Sequence, residues 1–222
     1  MDSAVLWQLS YGMYAIGVSD NGRPCGCIVN TVTQVTAENP VIALNINKQN
    51  YTYDVMMRTG AFSVSILTEQ ARPEAIGALG FASGRDQDKF QNLDYALTAD
   101  GLPILKEGSS GFITCKVIST MEMETHVVVL ARVQDAFKGA DGVPMTYRYY
   151  HEVVKGRAPK NAPTYQAQSE EVSQPEQGPG TYVCDRCGYT FEGDFSQTPA
   201  DFTCPLCGAS RGHFKRQGRK CG

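Results

Sequence analysis

Two cysteine pairs near the C-terminus carry the clearest chemical signal in the sequence. Each pair has the pattern Cys-x-x-Cys-Gly, and the four candidate ligands are Cys184, Cys187, Cys204 and Cys207. Two such turns that face each other place four thiolates around one point, the tetrahedral arrangement in which proteins bind zinc or iron. A segment of about forty residues is too small to fold on its own apolar core, so we expect the metal to be required for folding. The spacing predicts a metal site and leaves the choice between zinc and iron open.

The residues around these cysteines favour a redox metal over a nucleic-acid-binding zinc ribbon. Gly188 and Gly208 directly follow the two pairs, where a backbone with positive φ lets an N–H group point toward a sulfur atom. The stretch between the pairs, residues 189–203, contains three acidic residues and neither lysine nor arginine. Five aromatic residues are expected to surround the metal with an apolar shell that influences its reduction potential: Tyr182, Tyr189, Phe191, Phe202 and Phe214.

A second candidate site lies at residues 47–52, where a predicted strand ends and a predicted helix begins. This segment supplies the Lys48 ammonium, the Asn50 amide and the Thr52 hydroxyl beside the N–H groups of a helix start. A cation and helix-terminal N–H groups both favour phosphate, so the segment is a candidate anion pocket. The same residues are equally compatible with an ordinary helix cap beside a solvated lysine. The preceding stretch, residues 25–36, has high β propensity and by itself predicts only a strand.

The elements that must position these residues are mainly strands. Many short β-type runs, with few helices between them, predict a β-barrel or sandwich. The predicted strands are residues 15–19, 26–36, 41–46, 61–67, 111–120 and 126–136, and the predicted helices are residues 3–14, 52–59 and 72–79.

A change in composition after the last strand divides the chain into parts. Residues 158–180 are rich in Gln, Glu, Ser and Pro and lack apolar periodicity, which is typical of a flexible linker. We therefore predict a first domain at residues 1–157, the linker at 158–180, a metal-knuckle domain at 181–216 and a tail at 217–222. The second domain is expected to be tethered and free to swing.

Composition excludes several function classes. The 222 residues carry a net charge of −3, so no broad cationic field is available for binding nucleic acid. No apolar run approaches the ~20 residues that cross a bilayer, and the acidic N-terminus is unlike a secretory signal. We therefore expect a cytoplasmic protein with no membrane partner. In that reducing setting, Cys25 and Cys27 are expected to be small buried hydrophobes and not a disulfide.

The C-terminal segment resembles the rubredoxins. It shares with them Cys-x-x-Cys-Gly-Tyr at 184–189, Cys-Pro-Leu-Cys-Gly at 204–208 and the late phenylalanine, Phe214, although the loop between the pairs is shorter than in free-standing rubredoxins. The resemblance covers residues 182–215 and implies a mononuclear iron bound by four cysteines. Zinc remains the alternative metal.

The first domain resembles the FMN-binding split-barrel flavin reductases, particularly their ferric-reductase and flavoredoxin-like members. The shared motifs include Leu-Ser-Tyr-Gly at 9–12, Asn-Thr-Val at 30–32, Asn-Lys-x-Asn-x-Thr at 47–52 and Lys-Phe at 89–90. The resemblance implies a split β-barrel, FMN as cofactor and a homodimer. The residues that it implies at the FMN ring are Asn30, Thr31, Val32 and Thr33, and those toward the phosphate are Asn47, Lys48, Asn50 and Thr52.

The resemblance also bears on catalysis. His126 is the candidate catalytic residue, because a histidine at this place in the related reductases lies near the flavin or the nicotinamide; the alternative is an ordinary surface histidine. No G-x-G-x-x-G unit is present, so NADH or NADPH is expected to dock directly on the flavin.

The order of the two domains resembles that of the high-molecular-weight rubredoxins. This implies an oxidoreductase that takes hydride from NAD(P)H onto FMN and passes single electrons through iron to an external acceptor. A flavodiiron oxygen or nitric-oxide reductase is the acceptor that the resemblance implies. The alternative is a flavin reductase that releases reduced flavin and carries a structural zinc ribbon.

Overall fold

The structure is a computed structural model that describes residues 3–154, 178–185, 187–199 and 201–216. Residues 3–154 are called the reductase unit below, and the described residues from 178 to 216 are called the knuckle unit. Most of the predicted linker and the whole predicted tail lie outside the described residues. Pro179 and Gly180, which the sequence analysis assigned to the linker, are instead the first two residues of a strand.

Nine strands build the reductase unit, and seven of them form one antiparallel sheet. The strands are β1 (Tyr14–Asp20), β2 (Arg23–Val29), β3 (Val32–Thr36), β4 (Val41–Asn47), β5 (Ala61–Leu67), β6 (Tyr95–Leu97), β7 (Pro103–Leu105), β8 (Ser109–Glu122) and β9 (His126–Lys138). Their order in the sheet is β2-β1-β5-β8-β9-β4-β3, and β6 and β7 form a separate hairpin. Strands that are far apart in this order, β1 and β4, contribute Ile16 and Leu44 to one buried cluster. The sheet therefore curls around its core, and the predicted mainly-β fold is confirmed.

Three α-helices accompany the sheet in the described part of the chain: α1 (Tyr51–Thr59), α2 (Pro73–Phe81) and α3 (Tyr147–Glu152). The Asn50 side chain caps α1 by accepting a hydrogen bond from the Thr52 N–H, at 3.1 Å. Gly60 ends this helix in the left-handed region, with φ 70°. Within the described ranges, no helix is long and apolar enough to span a membrane.

Two local predictions were wrong, and both errors come from pairing across the sheet. The predicted helix at 3–14 is only a 3-10 helix at Ser3–Gln8, because Tyr14 pairs with Val29 and starts β1. The predicted strand at 26–36 is two strands, because the chain turns at Asn30 to pair β3 with β4. Cys25 and Cys27 are free and each 2% exposed, so the expectation of small buried side chains is confirmed.

The knuckle unit is a small three-stranded sheet that packs on the reductase unit. Its strands are β10 (Pro179–Cys184), β11 (Thr190–Asp194) and β12 (Phe214–Arg216), with β10 in the middle. One buried apolar cluster contains residues of both units, among them Ile76 and Tyr150 of the reductase unit and Leu206 of the knuckle unit. The two units therefore share part of their core.

Candidate metal centre and flavin site

The four predicted metal ligands converge at one point. The Sγ atoms of Cys184, Cys187, Cys204 and Cys207 all lie within 4.8 Å of one another. Cys184 and Cys207 are 3.7 Å apart, and Cys187 and Cys204 are 3.4 Å apart, measured between sulfur atoms. A tetrahedron with metal–sulfur bonds of about 2.3 Å has sulfur–sulfur edges of about 3.8 Å. The thiol set therefore fits a single tetrahedral ion.

The two knuckles share one backbone design. Gly188 has φ 77° and Gly208 has φ 67°, the left-handed conformation expected at these positions. The N–H of Cys184 donates to the Tyr189 carbonyl, and the N–H of Cys204 donates in the same way to the Ala209 carbonyl, at 2.9 and 2.8 Å. These turns also aim backbone N–H groups at the sulfurs, which favours the thiolate form that binds metal.

An aromatic cluster packs behind the thiolates. Phe195 is its centre, stacked on Tyr182 at 4.4 Å between ring centroids and in contact with Phe191, Phe202 and Phe214. The surrounding rings were predicted from the sequence and the central one was not, although Phe195 stands in the same stretch. Three of the ligands are buried and Cys207 is partly exposed, so one edge of the site faces outward.

Tyr150 of α3 lies close to the thiolates and was also missed. It is 2% exposed, and burial raises the pKa of its phenol well above the ordinary range. The neighbouring Cys187, Cys204 and Cys207 side chains raise that pKa further. The only signal in the sequence was its place next to His151 in a short aromatic run, which did not indicate a contact with the metal ligands.

The two segments predicted to bind flavin lie side by side. The pairing of Val32 with Leu44 joins β3 to β4. Thr31 adds two bonds to Asn45, one from its Oγ1 to the Asn45 carbonyl and one from the Asn45 N–H to its own carbonyl, both at 3.2 Å. β4 runs directly into the 47–52 turn at the start of α1. The Asn30–Thr33 segment leads into β3, the strand that pairs with β4, so the two segments lie on neighbouring strands.

At the start of α1, the polar side chains have their own partners. Lys48 forms an ion pair with Glu122, 2.8 Å from Nζ to Oε2, and the Lys48 and Glu122 side chains are 33% and 69% exposed. The Asn47 carboxamide accepts from the Gln49 N–H at 2.9 Å. An ion pair this exposed is worth little, so Lys48 can exchange Glu122 for an anion at low cost. Lys48 is therefore available to an anion, whereas the Asn47 and Asn50 carboxamide oxygens accept backbone hydrogen bonds and Thr52 is 1% exposed.

His126 lies directly opposite this turn. It pairs with Asn47 in the β4–β9 register, and the Lys48 N–H donates to the carbonyl of its neighbour Thr125 at 3.0 Å. The His126 Nδ1 is 2.8 Å from the Thr125 Oγ1. Partial burial lowers the pKa of His126, which favours the neutral ring at pH 7. The structure thus brings together the predicted catalytic residue and the predicted phosphate segment.

A loop that the sequence analysis left unassigned covers the same helix start. The Arg85 guanidinium lies 5.0 Å from the Tyr51 ring centroid and donates to the Gln49 carbonyl at 3.4 Å. Gly84 allows this approach, since a Cβ there would lie 2.6 Å from the Cys25 sulfur. Arg85 is therefore a second cation near the Lys48 turn.

Comparison with known proteins identifies both units. Residues 7–156 match the flavin reductase like domain family. The chain belongs to the flavin reductase-like family. Residues 182–215 of this flavin reductase-like protein match the rubrerythrin, rubredoxin-like domain family. The prediction of a flavin reductase-type oxidoreductase followed by a rubredoxin-like unit is confirmed.

One relative matches nearly the whole chain, and two others match part of it. A high molecular weight rubredoxin of Moorella thermoacetica is 36% identical, over 97% of this chain and 100% of its own. The NAD(P)H ferric-chelate reductase of Archaeoglobus fulgidus is 34% identical, over 74% of this chain and 98% of its own. A solved flavin reductase domain protein of an Arthrobacter species is similar in fold, with TM-score 0.59, 22% identity and coverage of 65% of this chain and 87% of its own.

Proposed function

We propose that the protein takes hydride from NADH or NADPH onto FMN and passes single electrons, through iron at the four cysteines, to an external acceptor. The observation that carries the proposal is the packing of a four-thiolate site against a flavin reductase-like unit of the same chain. A flavin accepts electrons in pairs and releases them singly, whereas one iron ion carries a single electron. The combination suits an enzyme that splits a hydride into one-electron steps.

The flavin-binding part of the proposal assigns roles to two segments. The backbone of Asn30–Thr33 bonds the polar edge of the FMN ring, and Lys48, Asn50 and Thr52 hold its phosphate, with Asn47 beside them. The support is their placement on adjacent strands and the helix start that they share.

His126 is proposed to position the nicotinamide against the flavin. Its support is the register that places it across from Asn47, together with a lowered pKa that keeps the ring uncharged beside a hydride donor. A neutral imidazole offers one donor and one acceptor nitrogen, which suits the carboxamide of a nicotinamide.

Iron is proposed over zinc because the knuckle unit matches a rubredoxin-like family and surrounds its thiolates with aromatic rings. An apolar shell limits solvent access to a metal ion and so influences its reduction potential. Zinc at this site, with reduced flavin as the released product, is the competing outcome.

The remaining parts concern partners. A flavodiiron oxygen or nitric-oxide reductase as acceptor, and a cytoplasmic setting, are supported by the similarity to high-molecular-weight rubredoxins. A homodimer through the reductase unit is supported by exposed apolar side chains in the last part of β8 and directly after it: Ile118, Met121 and Met123 are 50%, 56% and 50% exposed.

Anaerobic rapid mixing of the iron-loaded, FMN-loaded protein with NADH tests the proposal. We expect the flavin absorbance to fall first and the iron–thiolate absorbance to fall afterwards, at a rate independent of protein concentration. The matched control is the same protein loaded with zinc, in which flavin reduction keeps its rate and no second phase follows. Flavin reduction without any bleaching of the iron band would contradict the proposal.

A further inference from the structure

The second knuckle sits on a face of α2 that has no room for a side chain. A Cβ added to Gly77 would lie 2.0 Å from the Leu206 carbonyl oxygen and 2.7 Å from the Cys207 Cα. Both neighbours are backbone atoms of the turn that carries two of the metal ligands. This contact therefore brings the knuckle backbone as close to the helix as a glycine allows.

The side chains around Gly77 make the contact a packed interface. Leu206 stands between the ligands Cys204 and Cys207 and is 0% exposed. It belongs to the same apolar cluster as Ile76 of α2 and Tyr150 of α3. An apolar residue at the tip of a metal turn is buried here because the reductase unit covers it.

Gly80, one turn further along α2, packs on the strand that leads to the proposed flavin segment. A Cβ on Gly80 would meet the Ile28 side chain at 3.7 Å, an ordinary packing distance. Ile28 lies in β2, two residues before Asn30. The buried Lys89 ammonium donates to the Leu79 carbonyl at 2.6 Å and so fixes the last turn of this helix. One fixed helix thus contacts both the turn that carries Cys207 and the strand that leads to the segment assigned to the flavin.

We propose that Gly77 is a positioning residue for electron transfer within the chain, and that the α2 face around it is the seat from which the knuckle unit receives electrons. The inference rests on the proposed relay from flavin to iron and adds where that relay takes place. In this proposal, the predicted movement of the tethered knuckle unit carries it from the α2 face, where it receives electrons, to the external acceptor.

Replacement of Gly77 by alanine should block the seat without weakening the helix. Alanine is a better helix former than glycine, so α2 itself loses nothing. The new methyl group would overlap backbone atoms of the knuckle, which cannot rotate away as a flexible side chain could. The matched control is Gly80→Ala, which makes the same change in the same helix at an ordinary packing distance.

The test measures three quantities in the full-length, iron- and FMN-loaded protein: flavin reduction by NADH, subsequent bleaching of the iron band, and direct reduction of the iron by dithionite. For Gly77→Ala we expect the NADH-driven bleaching to slow, by up to tenfold for each ~1.4 kcal/mol by which the added methyl group destabilises the docked state, because that energy lowers the ratio of docked to undocked protein tenfold. Flavin reduction and dithionite reduction should keep their rates. Gly80→Ala should match the unsubstituted protein in all three. Amide hydrogen exchange of α2 should rise in Gly77→Ala alone, because the knuckle no longer covers the helix.

Bleaching at the unsubstituted rate in Gly77→Ala would overturn the inference, whether or not hydrogen exchange shows the seat to be empty. An equal loss in Gly80→Ala would also overturn it, because that change leaves the seat open. Failure of the proposed relay itself would give a different result, because the unsubstituted protein would then reduce its flavin and keep its iron absorbance band.

Discussion

Replacement of Lys48 by methionine should weaken the binding of FMN and leave the binding of riboflavin unchanged. Riboflavin lacks the phosphate that Lys48 is proposed to hold. A hydrogen bond to a charged group is worth about 1.5–3 kcal/mol, which corresponds to a loss of roughly 10- to 150-fold in FMN affinity. The present partner of Lys48 gives a second, opposite prediction. Glu122 is 69% exposed and competes for the ammonium at 2.8 Å, so Glu122→Gln should tighten FMN binding by up to about fivefold.

Fluorescence titration of the flavin-free protein with each ligand measures both effects. Lys106→Met is the control, because Lys106 forms a comparable surface ion pair, 3.2 Å from Asp94. That variant should bind both flavins normally. Equal weakening of FMN and riboflavin in Lys48→Met would mean that the substitution disturbs the turn and not the phosphate contact. Unchanged FMN affinity would remove Lys48 from the site.

Three further substitutions test other parts of the account. Gly208→Ala should lower the temperature at which the metal is lost, because a side chain at φ 67° costs about 1–2 kcal/mol. No atom lies within 4 Å of the added Cβ, so this cost comes from the backbone alone. The control is Gly212→Ala, which is equally open and lacks a positive φ; it should leave that temperature unchanged. Asp20→Asn should lower the free energy of unfolding at pH 7 by about 2 kcal/mol, because it disrupts the charged acceptor of hydrogen bonds from Tyr51 and two arginines. Those bonds, the one from Tyr51 foremost, hold the pKa of Asp20 below its ordinary value, so denaturant titrations should show the difference persisting above about pH 4 and vanishing as the pH falls through the lowered pKa. His126→Ala should slow NADH-driven flavin reduction about 2- to 12-fold, the worth of one neutral hydrogen bond, and an unchanged rate in rapid mixing would end its proposed role.

Most of the sheet could be predicted because its strands carry local signals. Buried and half-buried positions alternate from Ile42 to Asn47, and β4 spans Val41–Asn47. The helix at 52–59 has a capping Asn50 before it and Gly60 after it, and α1 differs from the prediction by one residue. The helix predicted at 3–14 failed because strand pairing at Tyr14, a long-range interaction, overrides a weak local pattern.

The metal ligands could be predicted because both cysteine pairs are local motifs, whereas the contacts that combine the sites depend on tertiary packing. Nothing near Gly77 in the sequence indicates that the Leu206 carbonyl lies against it, 129 residues later. The placement of His126 opposite Asn47 depends on the register of β4 and β9, which periodicity does not fix. Phe195 was overlooked for a similar reason, since a sequence cannot show which of several nearby rings occupies the centre.

The electron capacity of the chain under anaerobic titration with NADH tests the central claim most directly. A flavin takes up two electrons and a connected iron ion takes up one more, so the iron- and FMN-loaded protein should consume about 1.5 equivalents of NADH per chain, with both absorbance bands lost. An endpoint at about one equivalent with the iron band intact, or a protein that holds only zinc after preparation with ample iron, would contradict it.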